Sequence, residues 1–306
     1  MWPSRKKLAG DLEGKLKKFA LNKKPLPGLK SQAEVDALVL QFVASTRRID
    51  YTSILQKRSI APARMDPNSD LFDPERAAVA HAQAGRLDEA VWLTFLATHI
   101  GKRASDGWRR LRDVYSGLGV ATWTWELVSE SPEAFRDWLR QNRDLIGGGF
   151  GNHRKYESLD ADSPQGTGSV VESYVDWVGP ERSHVTKFAS LVQAAGNDPE
   201  TIFDAFYSDF QVRRFGRLGK FDFLALLGRL SLAPISPGSA YLDGATGPLR
   251  GARLLFGGHR AASLSAAVAD EWVRELGGDL GLGMQVMEDA ICNWQKSPDA
   301  FVHFKG

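Results

Sequence analysis

The 306-residue sequence holds one cysteine, Cys292. That excludes an internal disulfide framework and any cysteine-built zinc or iron–sulfur centre. Histidine is scarce as well. The six present show no metal-ligand spacing, and the acidic residues suggest no cation cage. No apolar run approaches the roughly 18 residues that a membrane-spanning helix needs. Met1–Lys24 is studded with lysine and lacks the apolar block of a secretion signal. A reducing, cytoplasmic setting is the expectation. Net charge is also small: 39 Lys and Arg against 37 Asp and Glu leave a formal +2. Any footprint for a polyanion must then come from local clustering.

What is present suits a soluble protein of one large or two smaller domains, with 43% hydrophobic and 25% charged residues. Residues 1–30 form a basic N-terminal arm rich in lysine. In it Leu8, Leu12, Leu16 and Phe19 recur at helical spacing before Pro25-Leu26-Pro27-Gly28. Such a helix is either a solvated leader or an arm that touches phosphates. Residues 31–306 read as mostly α-helical. Asp73-Pro74-Glu75, Ser131-Pro132-Glu133, Asp198-Pro199-Glu200 and Ser297-Pro298-Asp299 each carry a helix-start chemistry. Apolar faces follow at Leu87/Val91/Phe95, Phe135/Trp138/Leu139, Val171/Tyr174/Val175/Val178 and Ile202/Phe203/Phe206. Thr122–Val128 is the best strand candidate. A break at Gly179-Pro180 divides the helical part into lobes of roughly 31–180 and 181–306.

Two stretches carry chemistry. Gly147-Gly148-Gly149-Phe150-Gly151 permits close backbone approach and leads into Asn152-His153-Arg154-Lys155-Tyr156-Glu157. His153 can exchange protons near neutral pH, Arg154 and Lys155 can hold phosphate, and Glu157 can act as base or orienter. The order of a Walker phosphate loop is absent. The plainer reading is a flexible loop before a charged helix start. The second stretch is 221–256. Phe221, Leu224, Leu227 and Leu230 predict one helix, and Pro248–Phe256, with Arg250 and Arg253, a second. Between them Ala233–Gly247 is glycine- and proline-rich, and a helix pair joined this way can aim amides at a phosphate. Asp270 follows within Ala269-Asp270-Glu271-Trp272.

A glycine hairpin, a helix and then an aspartate resemble the helix-hairpin-helix DNA glycosylase superfamily. Three longer blocks sharpen this: Phe150–Leu159, Gly247–Gly258 and Met287–Pro298. They are similar to the α-glutamyl/putrescinyl-thymine pyrophosphorylase-like clade of that superfamily. The hairpin departs from the usual Leu-Pro-Gly-x-Gly form, carrying Gly244-Ala245-Thr246-Gly247 instead.

The resemblance implies an all-α, two-lobed, helix-hairpin-helix DNA glycosylase-like fold with an interlobe active-site cleft and its hairpin near 221–256. It implies a DNA partner, double-stranded phage DNA with hypermodified bases, in a bacterial cytoplasm, with no membrane and no obligate protein partner. The target nucleotide must be flipped out of the stack. A carboxylate beside the sugar then stabilises the charge that builds as the glycosidic bond breaks. Asp270 is the candidate, with His153, Lys155 and Glu157 completing the catalytic set; the alternative for Asp270 is a helix-surface aspartate. Asn152, Arg154, Tyr156, Gly247, Arg250, Arg253, Lys102, Arg109 and Arg110 are the DNA-contact candidates, and Trp108, Trp123 and Trp125 can stack on bases. Glu288, Asp289, Asn293 and Lys296 share a helical face that either reads an enlarged base or forms a surface salt-bridge network. No cofactor or metal is expected, apart from a structural cation on hairpin carbonyls.

The leading expectation is excision, leaving abasic sites as antiphage defence, similar to a glycosylase acting on glucosylated hydroxymethylcytosine. With no lysine between Lys220 and Lys296, the enzyme would be monofunctional. The first alternative is a pyrophosphorylase-type transferase that installs hypermodified thymine. The second is a non-catalytic DNA-binding module.

Overall fold

Three of the four proline start signals open helices. Asp73, Ser131 and Asp198 each accept a hydrogen bond from the amide three residues on, with proline in the first turn. The helices are α3 (Pro74–Gln83), α7 (Pro132–Asn142) and α10 (Pro199–Asp209). The fourth signal, at Ser297, opens only turns. There the Pro298 carbonyl accepts from the Trp294 indole N–H at 3.1 Å, and the Val302 carbonyl from the Gln41 amide at 3.0 Å. These side chains take acceptors that a helix would need.

The computed structural model describes residues 5–303. Among the described residues it contains fourteen α-helices and no strand. An isolated bridge pairs Arg103 with Gly107. The all-α expectation holds, but Thr122–Val128 is not a strand. Thr124 instead caps α6 (Trp125–Glu130) through the Leu127 amide, with Glu126 in the first turn.

The chain forms two compact units. The first comprises Met1–Thr52 and Pro237–Phe304. Its helices are α1 (Lys6–Asn22), most of α2 (Gln32–Leu55), α12 (Gly247–Gly257), α13 (Ala266–Leu280) and α14 (Met284–Trp294). From Arg5 on, the basic segment is built into this unit: α1 packs on α13, burying Ala9, Leu12, Leu16 and Phe19 in a core that also holds Leu255, Leu276, Met287 and Trp294. Its lysines lie on the outer face, where Lys23 pairs with Asp279 at 2.8 Å.

The second unit, Ser53–Ser236, is built around α4 (Leu87–Ile100). Every residue from Ala90 to Ile100 is buried, as expected of a helix apolar on all sides. α3 lies along it, and α5 (Arg109–Tyr115), α6, α9 (His184–Ala195) and α11 (Arg217–Arg229) pack around it. An aromatic column runs through the unit. Phe95 stacks on Tyr174 of α8 (Thr167–Val178) at 3.6 Å, with Trp92, Phe215 and Phe223 alongside. Trp125 belongs to this core, and Trp123 is half-buried against Phe135 and Trp138. The Trp123 carbonyl accepts from Trp92 Nε1 at 2.9 Å, and Trp125 lies against His184 at 4.3 Å.

The break at Gly179-Pro180 falls inside the second unit, between α8 and α9. The two helices expected to form a hairpin over 221–256 fall in different units: α11 stays with α4 and α10, while α12 packs on α13 and α14. Residues 230–246 connect them. A short helix–turn–helix occurs one step earlier, where residues 210–216 join α10 to α11.

The burial of α1 makes a direct prediction. Leu16→Ala should cost about 2–5 kcal/mol, whereas exposed Lys18→Ala should stay within about 0.5 kcal/mol. Chemical denaturation of the two variants measures this, and equal small effects would return α1 to the status of a solvated leader.

Candidate functional site

An α-helix leaves its last carbonyls without partners inside the helix. At the C-terminal end of α4 those carbonyls organise the segment that carries most of the polar candidates. The Ile100 carbonyl accepts from Gly151 N at 2.9 Å. The Thr98 carbonyl accepts from Arg154 Nε at 2.8 Å. A cation is favourable here, because the helix dipole is negative at this end.

Arg154 is only 7% exposed. Its guanidinium lies 5.4 Å from the Phe215 ring and places Nη2 3.5 Å from Asp222 on α11. Burial lowers its pKa, opposed by the charges of Asp222 and Glu157. Burial raises that of Asp222, opposed first by Arg154. Arg154 is therefore an internal anchor rather than a surface phosphate contact.

Three residues on, Glu157 is a second anchor. Its side chain is 8% exposed and both oxygens accept from Arg214, at 3.0 and 3.1 Å. Arg214 holds a left-handed φ of 64° in the turn before α11 and donates to the Tyr156 carbonyl at 3.3 Å. A third tie follows at Ser158, whose carbonyl accepts from Thr167 Oγ1 at 2.7 Å. That hydroxyl in turn accepts from His99 Nε2 at 3.0 Å. Residues 151–158 are thus held at fixed points. Asn152, His153, Lys155 and Tyr156 are exposed between the anchors.

Beside this knuckle is a cavity of about 680 Å³. Arg103, Arg110, Lys155, Asn152 and Glu157 line it, with Phe150 and the backbone of Gly148 and Gly149. The glycines let arginines lie close: a β-carbon at Gly147 would displace the Arg109 guanidinium and one at Gly149 that of Arg103. Arg110 Nη2 donates to the Gly148 carbonyl at 2.6 Å, and its guanidinium lies 4.8 Å from the Phe150 ring. Burial, and after it the charge of Arg103, lowers the Arg110 pKa. Since Glu157 is neutralised by Arg214 and Arg103 by Asp106 at 2.9 Å, Arg110 and Lys155 leave the cavity cationic. An anion entering it would relieve the repulsion.

A second cavity, of about 500 Å³, contains Lys102, Trp108, Arg109 and Arg112 together with Asp70, Asp73 and Asp106. Lys102 lies 5.8 Å from the Trp108 ring. The predicted cluster Lys102, Arg109 and Arg110 therefore converges on adjoining stretches of one unit. Phe150 and the basic pairs Lys102-Arg103 and Arg213-Arg214 stand out in the sequence, but Asp222 does not, because its partner Arg154 is remote.

The other candidates lie in the first unit. Asp270 on α13 is half-buried and holds the loop before α12. It accepts from Ser239 Oγ at 2.5 Å, Ala240 N at 2.9 Å and Leu242 N at 3.3 Å. That loop carries the exposed Asp243. Gly247 is the first residue of α12; Arg250 is exposed, and Arg253 Nε donates to the Leu264 carbonyl at 2.9 Å. On α14, Asp289 pairs with Arg48 and accepts from Asn293 Nδ2 at 2.8 Å, and Asn293 Oδ1 accepts from Lys296 Nζ at 3.0 Å. Glu288 is buried. The α14 face is an internally bonded ladder. Lys220 lies on α11, in the observed α10–α11 pair, with its pKa lowered by burial and Nζ 3.5 Å from the Tyr207 carbonyl.

The model of alpha-glutamyl/putrescinyl thymine pyrophosphorylase clade 3 matches residues 33–306, and the chain belongs to that family. Among curated proteins nothing matches the chain, and among solved structures nothing does either. Among the described residues no helix is long and apolar enough to cross a membrane.

His99 provides a pH test of the anchored segment. Burial, followed by the charges of Arg154 and Arg214, lowers its pKa from 6.5 to about 3. The folded state refuses a proton that the unfolded chain accepts, so stability is complete above pH 6.5 and declines as pH falls toward 3. His99→Gln keeps an N–H for Thr167 but cannot titrate. Unfolding free energies measured across this range should fall less steeply for the variant, by up to about 1.4 kcal/mol per pH unit. Unchanged slopes would remove His99 from the account.

Proposed function

We propose that this protein acts on a hypermodified thymine in DNA, and that the cationic cavity beside the 151–158 knuckle receives a phosphate-bearing substituent of the base. The observation that carries this reading is the convergence of Arg103, Arg110, Lys155 and Asn152 on a glycine-floored cavity of about 680 Å³. A volume of that size suits a base with its substituent. Planar guanidiniums match phosphate oxygens two at a time. A neutral sugar would leave the charge of Arg110 and Lys155 unmatched; a pyrophosphate matches it.

The chemistry this favours is the pyrophosphorylase type after which the family is named. The carbon–oxygen bond joining the pyrophosphate to the exocyclic carbon breaks as an incoming nucleophile bonds to that carbon. Negative charge grows on the departing oxygen, and Arg103, Arg110 and Lys155 are set to take it up without reorganising. The family name suggests glutamyl or putrescinyl amines as nucleophiles. DNA itself would be gripped outside the cavity by Lys102, Arg109 and Arg112, and by the amides opening α11, where Gly216 provides no side-chain cap.

A second reading, excision of the base as phage defence, is favoured by one arrangement. Asp270 holds a loop that displays Asp243 to solvent, and an exposed carboxylate near a flipped nucleotide can stabilise the sugar cation.

The same assay distinguishes them. Purified protein is incubated with DNA containing pyrophosphoryloxymethyl uracil, and with glucosylated phage DNA, in the presence of glutamate or putrescine. The expected outcome is released pyrophosphate with the base retained, falling about 100-fold or more in Arg110→Ala. Free base and abasic sites from either DNA would establish excision instead.

A further inference from the structure

Tyr156 is the most exposed aromatic side chain among the described residues, at 79%. Such a ring on a floppy loop would mean little, but this one is fixed on both sides. Arg154 and Glu157 are buried, and each is held by a partner from a different part of the unit. The Tyr156 carbonyl is itself bonded by Arg214. The ring therefore projects from a pinned turn, and holding it in place on binding costs little additional entropy. Lys155 Nζ lies 5.0 Å from its centroid, close enough for a cation–π contact. The same lysine lines the cationic cavity.

We infer that Tyr156 is a stacking platform for an unpaired DNA base beside the cavity. This rests on the proposal that the partner is DNA, but it adds a contact with the base face. Charge complementarity selects the occupant. The ring stands beside Lys155, which lines the cavity together with Arg103 and Arg110, so a partner that brings phosphates together with a flat apolar surface fits it. A DNA strand with one base out of the stack has both. The sequence-tolerant nature of base–aromatic stacking means the ring supports a neighbouring base rather than reading the modified one.

The test uses the full-length protein and two duplexes, one fully paired and one with a single unpaired 2-aminopurine. Wild type should bind both in a salt-dependent manner and quench the unpaired probe. Tyr156→Ala should lose the quenching and bind the unpaired duplex about 5- to 150-fold more weakly, while its affinity for the paired duplex is unchanged. Tyr156→Phe keeps the ring and should match wild type within about twofold. Tyr156→Ala binding the unpaired duplex as tightly as wild type, while wild type still binds DNA, would overturn the platform and leave the DNA reading standing. An equal loss in Tyr156→Phe would assign the effect to the hydroxyl and also overturn the platform. Absence of DNA binding by wild type would overturn both.

Discussion

The candidate site depends on one buried cation at the end of one buried helix. Taking a guanidinium out of water is costly, and the lowered pKa of Arg154 records that cost. The site offsets it with a helix-end carbonyl, an aromatic face and a carboxylate 3.5 Å away. None of these alone is adequate compensation. Together they pin the 151–158 segment between the C-terminal end of α4 and α11. Everything exposed on the knuckle inherits its position from that arrangement.

The glycine run complements the anchor. Arg103, Arg109 and Arg110 lie against Gly147–Gly149, and side chains larger than hydrogen would displace them. Arginines can share a small volume only when each has some other contact. Here Arg110 has the Gly148 carbonyl and Phe150, and Arg103 has Asp106. The residual positive charge is held rather than dispersed.

Legibility in the sequence followed the range of the interaction. Helix starts at Asp73, Ser131 and Asp198 were readable because the cap and its amide lie within one turn. The polar block 152–157 stood out by composition. Yet its internal division, with Arg154 and Glu157 turned inward and Lys155 and Tyr156 outward, depends on Thr98, Asp222 and Arg214. A single sequence carries no mark of those pairings. The hairpin was misplaced for a related reason. Two apolar helical faces separated by glycines satisfy a local template, but the partners those faces bury decide which helices belong together. Phe221 and Leu224 joined the second unit and Leu255 the first.

Asp270 illustrates how a role assigned by spacing changes once hydrogen bonds are counted. A carboxylate that accepts from one hydroxyl and two amides is well suited to hold a loop. Those bonds occupy most of the lone pairs that a water or a sugar cation would engage. Asp243, displayed by the loop that Asp270 organises, has no such obligations. If a carboxylate of the first unit meets a reacting sugar, the physical argument therefore selects Asp243 for contact and Asp270 for positioning. The two substitutions should then differ in kind: loss at 243 removes chemistry from an intact loop, whereas loss at 270 frees the Ala240 and Leu242 amides and releases the loop itself.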